Sequence, residues 1–171
     1  MRNDIKSWRE ASQMTMMSLE KMQGVFLVTQ GGDKKPNIMT IGWLQSGIIW
    51  GRPILTVLVR PSRYTFHLLE ENPAFSVCVP TDAMVKAIEI CGTLSGAQHN
   101  KFQKTGLTPI YPDNFPVPFI TECPACFACV VVQKTRVEPA TFSTSILKEY
   151  YSSGDFHNVY CGEIHNIQIS E

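Results

Sequence analysis

The chain has 171 residues, of which 44% are apolar and 18% are charged, and its 15 basic side chains balance its 15 acidic ones. This length predicts one domain with a sizeable core, and the composition excludes intrinsic disorder. Neutral net charge excludes proteins that coat nucleic acid or anionic membranes, because both need a large basic excess.

No apolar run approaches the roughly 20 residues that a membrane-spanning helix needs. Together with the neutral net charge, this leads us to expect neither a nucleic-acid nor a membrane partner. The N-terminal residues are charged and no apolar stretch follows them. We therefore expect no secretory signal and a cytoplasmic location.

The first predicted element is an N-terminal helix or arm over residues 1–23, with loosely helical apolar spacing. Four β-prone runs follow, at 25–29, 36–43, 47–50 and 54–59. Turn residues between the first two are typical of a hairpin. Four strands so closely spaced leave no room for helices between them, which favours an antiparallel sheet or barrel over parallel βαβ units.

The rest of the chain mixes helices and strands. A helix is predicted over 64–71, because Asn72-Pro73 ends it. Another is predicted from a Thr81-Asp82 cap to about Cys91, with Gly92 as its left-handed terminator. The other predicted elements are a strand (74–79), a loop and short helix (95–106), a surface loop (107–118), a strand (125–137), a helix or irregular excursion (142–151) and a closing strand (156–169).

These elements predict a β-rich α+β domain over residues 24–171, with a barrel-like antiparallel sheet and helices in its crossovers. A barrel suits many short strands because it leaves no exposed edges. No internal repeat and no low-complexity segment interrupts this range.

The six cysteines are expected to be thiols, since a reducing compartment rarely preserves disulfides. Cys123, Cys126 and Cys129 have the spacing of three ligands in a zinc or iron–sulfur site. No fourth ligand is placed nearby, and a strand-like run of valines follows Cys129. The favoured interpretation is therefore three buried small side chains and no metal. An additional redox role for Cys123 and Cys126 is the alternative hypothesis.

Three segments carry candidate binding residues. In Arg60-Pro61-Ser62-Arg63-Tyr64-Thr65, two guanidinium groups and two hydroxyl groups meet at a helix N-terminus, which favours an anion. The strand 36–43 could offer backbone groups to the polar rim of a planar ring. The glycines and hydroxyl groups of 91–96 could form an anion-binding nest. The alternatives are a capped helix with solvated arginines, a plain hairpin strand and a helix-ending glycine.

Taken in order, these segments resemble the flavin reductase-like family of FMN-binding split-barrel proteins, which includes the flavoredoxins. The resemblance runs from about Gly24 to Ile164. The motifs that carry it are Asn37-x-Met39-Thr40-x-x-Trp43, Arg60-Pro61-x-Arg63-Tyr64-Thr65, Cys91-Gly92-Thr93-x-Ser95-Gly96, Lys101, Thr105-Gly106-Leu107-Thr108-Pro109, and His157 with Gly162-Glu163-Ile164. The sequence departs from the pattern at Ala97-Gln98, where many relatives carry Arg-Asp, and at the extra cysteines Cys123 and Cys126.

The resemblance implies a split β-barrel, a homodimer and one non-covalent FMN for each subunit. The residues that would border the isoalloxazine are Asn37, Met39, Thr40 and Ile41. Those that would hold the phosphate and ribityl chain are Arg60, Ser62, Arg63 and Thr65. Ser95 and Lys101 would complete the polar end. No side chain is expected to be catalytic, because the bound flavin carries the redox chemistry.

The implied activity is that of an oxidoreductase in which NADH or NADPH reduces bound FMN and electrons pass to free flavin or another acceptor. Because a Gly-x-Gly-x-x-Gly fingerprint is absent, nicotinamide binding would be transient. Two alternatives stay open. One is a flavoredoxin-type electron-transfer protein that takes electrons from a redox partner protein, and the other is a non-enzymatic binding protein for another planar ligand such as haem.

Overall fold

The computed structural model describes residues 2–22 and 24–170, and within these ranges the chain forms five α-helices and nine β-strands. The helices are α1 (Arg2–Met22), α2 (Tyr64–Glu71), α3 (Val85–Thr93), α4 (Lys101–Thr105) and α5 (Thr144–Tyr150). The strands are β1 (Val25–Gln30), β2 (Pro36–Ile41), β3 (Leu44–Ile49), β4 (Arg52–Val59), β5 (Ala74–Val79), β6 (Pro109–Ile110), β7 (Phe119–Ile120), β8 (Ala125–Arg136) and β9 (Asn158–Ile169).

Seven of the described strands form one sheet in the order β2-β1-β5-β8-β9-β4-β3, and every neighbouring pair is antiparallel. The edge strands β2 and β3 are joined by Gly42 and Trp43 alone. A flat seven-stranded sheet would hold its edges about 29 Å apart, whereas this connection spans at most about 11 Å. The sheet must therefore coil until its edges meet at this corner, which confirms the predicted barrel-like antiparallel sheet.

Buried side chains form two clusters, one on each face of the sheet. The first gathers residues from strands across the whole sheet and from α1, including Leu27, Phe75 and Tyr160, so it fills the barrel. The second covers the opposite faces of β1, β5 and β8 beneath α3 and α4, and it includes Phe26 and Phe119. Because both of their faces are covered, β1 and β5 are buried along their whole length.

The predicted N-terminal helix is present as α1 and packs on the barrel. Ala11 is fully buried in the first cluster. Trp8 Nε1 donates a hydrogen bond of 2.9 Å to Ser46 Oγ on β3, and Ser18 Oγ donates one of 2.8 Å to the carbonyl oxygen of Gly24. In the described part of the chain, none of the helices combines the length and apolarity that crossing a bilayer requires.

The helix predicted after Thr81 is present, but its first turn and its end differ from the prediction. A 3-10 turn occupies Asp82–Met84, α3 starts at Val85, and no side-chain hydrogen bond from Thr81 caps the turn. Gly92 remains helical, and a Cβ there would lie 3.5 Å from Thr40 Cβ. Gly92 therefore lies inside α3, on the side of the helix that faces β2. The left-handed terminator is Gly106, which ends α4 at φ +72°.

The prediction of a surface loop over 107–118 was partly wrong. Val117 is fully buried and Leu107 nearly so, and both belong to the second cluster. Pro109 and Ile110 pair with Phe119 and Ile120 in a short antiparallel ribbon. The prolines of this segment favoured the prediction of a loop, because proline is typical of turns. Proline is also tolerated in short edge strands, as the structure shows here.

A substitution at Gly162 tests how tightly β9 packs on the barrel core. An added Cβ would lie 2.6 Å from Phe75 Cζ and 2.8 Å from Cys129 Cβ, and both of these residues are fully buried. We expect Gly162→Ala to lower the free energy of unfolding by roughly 1–3 kcal/mol in urea denaturation, as overpacking does. The matched control is Gly47→Ala in β3, which meets open space and should stay within about 0.5 kcal/mol of wild type. Equal stability of the two variants would contradict the packing.

Candidate functional site

Two adjoining cavities lie beside β2, and together they collect nearly all of the predicted site residues. We name them the Trp43 cavity, of about 190 Å³, and the Lys101 cavity, of about 120 Å³. Met39, Thr40 and Arg63 line both, so the cavities share a wall. Nine of the ten predicted residues line one cavity or both, namely Met39, Thr40, Ile41, Arg60, Ser62, Arg63, Thr65, Ser95 and Lys101.

The tenth predicted residue, Asn37, lies behind the cavities and supports one of their walls. Its side chain is buried, and Nδ2 donates a hydrogen bond of 2.9 Å to Thr65 Oγ1. This bond joins β2 to the first turn of α2. Asn37 therefore fixes the position of a hydroxyl group that lines the Lys101 cavity.

The Trp43 cavity has one wall from β2 and the corner that follows it, and another from β4 and the start of β9. Its apolar lining comes from Met39, Ile41, Trp43 and Leu58, and its polar lining includes Arg60, Arg63 and His157. Because β2 is an edge strand paired only with β1, half of its backbone N–H and C=O groups point away from the sheet. This arrangement suits a flat molecule with a polar edge.

The Lys101 cavity lies between α2 and the C-terminal end of α3. Lys101 is buried, and its Nζ donates hydrogen bonds to the carbonyl oxygens of Cys91, at 3.2 Å, and Leu94, at 3.3 Å. The pKa of Lys101 is lowered to about 8, mainly by burial, which Cys91 opposes and the Arg63 charge reinforces. Lys101 is thus mostly protonated at neutral pH. With Arg63 it makes the cavity positive.

Arg60 and Ser62, both predicted phosphate ligands, are engaged by residues 150–157, which we name the strap. Arg60 Nη1 donates to the carbonyl oxygen of Asp155 and Nη2 to that of Tyr150, each at 2.9 Å. Ser62 Oγ donates to Asp155 Oδ2 at 2.6 Å. Among the residues that the structure describes, no ion pair or side-chain hydrogen bond engages the exposed Arg63 guanidinium.

Aromatic side chains of the strap pack around Trp43, and one of them, His157, lines the Trp43 cavity. The Trp43 ring lies 5.0 Å, centroid to centroid, from the rings of both Tyr150 and His157. Tyr151 OH and His157 Nδ1 share a hydrogen bond of 2.8 Å. Sequence patterns missed Tyr150 and Tyr151, because the 142–151 excursion has no regular periodicity. Trp43 and His157 were noticed only as members of the motifs.

His157 is neutral at physiological pH. Burial lowers its pKa to about 4, and the Arg60 and Arg63 charges contribute in the same direction, against the opposing effect of Asp155. Its imidazole therefore adds no charge to the wall of the Trp43 cavity.

The cysteines lie away from both cavities, with the exception of Cys91, which lines the Lys101 cavity. All six are buried free thiols. Cys123, Cys126 and Cys129 are core residues, as the favoured interpretation of their spacing predicted. Across residues 2–22 and 24–170, no group of three or more metal-ligating side chains has an arrangement that could hold a metal ion.

The family profile described as Flavin reductase like domain matches residues 19–171. The chain belongs to this family. An uncharacterized protein of Archaeoglobus fulgidus is 39% identical over 105 residues, which are 61% of this chain and 59% of the relative. An uncharacterized protein of Pyrococcus abyssi is 28% identical over 107 residues, 62% of this chain and 60% of the relative. The chain thus spans less than two thirds of the curated relatives it matches.

Solved structures share the fold. A protein of Shewanella frigidimarina with a split barrel domain superposes with a TM-score of 0.71 at 16% identity, over 86% of this chain and 67% of that one. Flavoredoxin from Methanosarcina acetivorans superposes with a TM-score of 0.68 at 27% identity, over 86% of this chain and 68% of that one. The predicted split β-barrel is therefore confirmed.

The depressed pKa of His157 predicts a specific pH dependence of stability. In the unfolded chain the imidazole takes up a proton near its ordinary pKa of 6.5, whereas the folded protein resists protonation until about pH 4. The stabilisation is complete above pH 6.5 and is lost as the pH falls toward 4. We expect His157→Gln to lose less unfolding free energy than wild type over this interval.

Chemical denaturation at the two ends of the interval measures this difference. His165→Gln is the control, because His165 is exposed on β9 and should keep the wild-type dependence. A His157→Gln variant that loses as much stability as wild type would show that the buried imidazole titrates normally.

Proposed function

We propose that the protein is an FMN-binding oxidoreductase, with the flavin ring in the Trp43 cavity and the phosphate in the Lys101 cavity. One observation carries the proposal: residues from separate segments of the chain converge on two adjoining cavities, one that combines apolar and aromatic side chains with two arginines, and one lined by hydroxyl groups, Arg63 and Lys101. Membership in the flavin reductase-like family supports it. The flavoredoxin from Methanosarcina acetivorans, at 27% identity, adds further support.

The residues of the Trp43 cavity fit a flat ring system. Met39, Ile41 and Trp43 supply apolar contact, and the free backbone edge of β2 offers hydrogen bonds to a polar rim. The His157–Tyr151 pair holds the far wall in place. Because the imidazole is neutral, the positive charge near the ring would come from Arg60 and Arg63.

The residues of the Lys101 cavity fit a phosphate monoester dianion. Arg63 and Lys101 supply two positive charges, and Thr65 and Ser95 supply hydroxyl groups. Thr65 lies in the first turn of α2, where backbone N–H groups also favour an anion. Arg60 and Ser62 stay proposed ligands. Arg60 binds the strap through two of its five N–H groups and keeps three for a ligand, whereas Ser62 donates its one hydroxyl proton to Asp155 and could donate to a phosphate only if the strap moved.

When bound, FMN would supply the hydride and electron chemistry, and the protein would supply position and charge. We propose NADH or NADPH as the electron donor and free flavin or another small acceptor as the recipient. A larger cavity of about 810 Å³ adjoins the Lys101 cavity, shares Lys101 with it and is also lined by Asn37. Its other lining residues include Lys35, Tyr64 and His99, and it offers room for a dinucleotide co-substrate.

A second candidate is a flavoredoxin-type carrier that binds FMN but accepts electrons from a redox partner protein. The likeness to a flavoredoxin favours it. In both cases we propose a homodimer in the cytoplasm. The exposed apolar side chains Ile48, Ile49 and Trp50 at the tip of the β3–β4 hairpin are suited to an interface between two copies.

Substitution of Arg63 tests the phosphate assignment. Because the exposed Arg63 side chain has no structural partner among the described residues, Arg63→Ala should leave the fold intact. We expect FMN affinity to fall roughly tenfold or more, the loss of a charge-assisted contact worth about 1.5–3 kcal/mol. Riboflavin, which lacks the phosphate, should lose much less affinity than FMN in fluorescence titrations of the variant against wild type.

The matched control is Arg136→Ala, which removes an exposed arginine that lines neither cavity. It should bind both ligands like wild type. Equal losses of FMN and riboflavin affinity in Arg63→Ala would place the phosphate elsewhere.

Anaerobic reduction separates the two candidate functions. The FMN-loaded protein is mixed with NADH or NADPH without oxygen, and the flavin absorption is followed in a stopped-flow instrument. The reductase predicts rapid bleaching with at least one of the two nicotinamides. Bleaching by dithionite but by neither nicotinamide would contradict the reductase and favour the carrier.

A further inference from the structure

Three buried thiols lie together outside the two cavities, and the proposed flavin chemistry does not use them. Cys78 is in β5, Cys126 is in β8, and Cys123 lies in the turn that leads into β8. They are 0%, 1% and 2% exposed, respectively, and all belong to the cluster that covers the outer face of the sheet.

Cys78 and Cys126 are direct partners in the antiparallel ladder of β5 and β8. In such a ladder, hydrogen-bonded pairs alternate with pairs that are not hydrogen-bonded. Val131 N donates to the Pro73 carbonyl oxygen at 2.8 Å, so Pro73 and Val131 form a hydrogen-bonded pair. Cys78 and Cys126 lie five positions further along the unbroken register and therefore form a non-hydrogen-bonded pair.

The side chains of a non-hydrogen-bonded pair approach closely, with Cα atoms about 4.5 Å apart. This separation is at the short end of the range of about 4.4–6.8 Å that a disulfide bond spans. The backbone thus already places these two sulfur atoms where they can be joined.

Cys123 adds a third sulfur, three positions before Cys126 in the chain. The neighbouring Cys123 and Cys78 thiols stabilise the Cys126 thiolate and lower the pKa of Cys126 to about 5. Burial raises the pKa of Cys78, and the interaction with Cys126 raises the pKa of Cys123. Cys126 is therefore the nucleophilic sulfur of the cluster.

We propose that Cys78, Cys123 and Cys126 form a two-electron redox site, at which a hydroperoxide oxidises Cys126 and a cross-strand disulfide then closes with Cys78. The Cys126 thiolate attacks one oxygen of hydrogen peroxide, the O–O bond breaks, and the departing hydroxide takes up a proton to become water. The Cys78 sulfur then attacks the sulfenic acid, the S–O bond breaks, and a second water leaves with the Cys78 proton. Two thiols and one hydrogen peroxide give one disulfide and two waters.

Peptide mapping of the wild-type protein tests the pairing. The full chain is treated with one equivalent of hydrogen peroxide, alkylated without reduction, digested and analysed by mass spectrometry. We expect a Cys78–Cys126 cross-link, two hydrogen atoms lighter than the dithiol and reversed by dithiothreitol. Cys161, the most exposed cysteine of the described chain at 8%, should remain a free thiol.

Three results would overturn the proposal. They are an unreacted cluster, oxidation that follows exposure so that Cys161 reacts first, and a Cys123–Cys126 link in place of the cross-strand bond. None of these readouts involves flavin, so they stand apart from the proposed oxidoreductase function.

Two variants test the separate roles of the thiols. Cys78→Ala should stop the reaction at the Cys126 sulfenic acid, which a 1,3-dione reagent traps. Cys123→Ala should slow oxidation of Cys126 several-fold, because one of the two thiols that stabilise the Cys126 thiolate is lost. Cys129→Ala is the control, since Cys129 faces the barrel interior and should leave the rate unchanged. Equal rates in all three variants would contradict the assigned roles.

Discussion

The connection between β2 and β3 is the constraint on which the site depends. Two residues join the opposite edges of a seven-stranded sheet, so the sheet has to close at that corner. Closure brings the free edge of β2 close to the end of β4, and with it the Arg60–Thr65 segment that begins α2. Both cavities lie at this meeting point. The Asn37–Thr65 hydrogen bond then fixes the position of α2 relative to β2.

Charge is distributed around the same point. The chain is neutral in total, yet Arg60, Arg63 and Lys101 all line the two cavities. Buried Lys101 uses carbonyl oxygens to hold its ammonium group, so it keeps its charge without a carboxylate partner. Asp155 approaches the site from the strap and binds Ser62. This local concentration of positive charge is suited to one small dianion.

Residues that are adjacent in the sequence were enough to predict some of the helices and strands. The bounds of α2 and β5 agree with prediction, because Asn72-Pro73 separates a helix from an apolar run. The candidate site residues came from a resemblance that depends on the order of several motifs, and the fold brings nine of them to the two cavities. Their roles toward a ligand remain proposals.

Contacts between residues far apart in the chain could not be predicted from local sequence patterns. The Arg60 hydrogen bonds join residues 90 and 95 positions apart, and no local pattern marks their acceptors, which are backbone carbonyl oxygens. Gly92 was predicted to end a helix because local rules favour glycine there, whereas α3 continues to Thr93 and places Gly92 beside Thr40 of β2. The cross-strand pairing of Cys78 with Cys126 likewise depends on strand register, which cannot be derived from the spacing of the cysteines in the sequence.

The central claim is that the two cavities hold one FMN, and the visible absorption spectrum tests it most directly. The protein is incubated with FMN, passed through a desalting column and measured against its peptide concentration. The account predicts flavin bands that correspond to one FMN for each chain. A colourless protein, or one whose visible bands are those of haem, would contradict it.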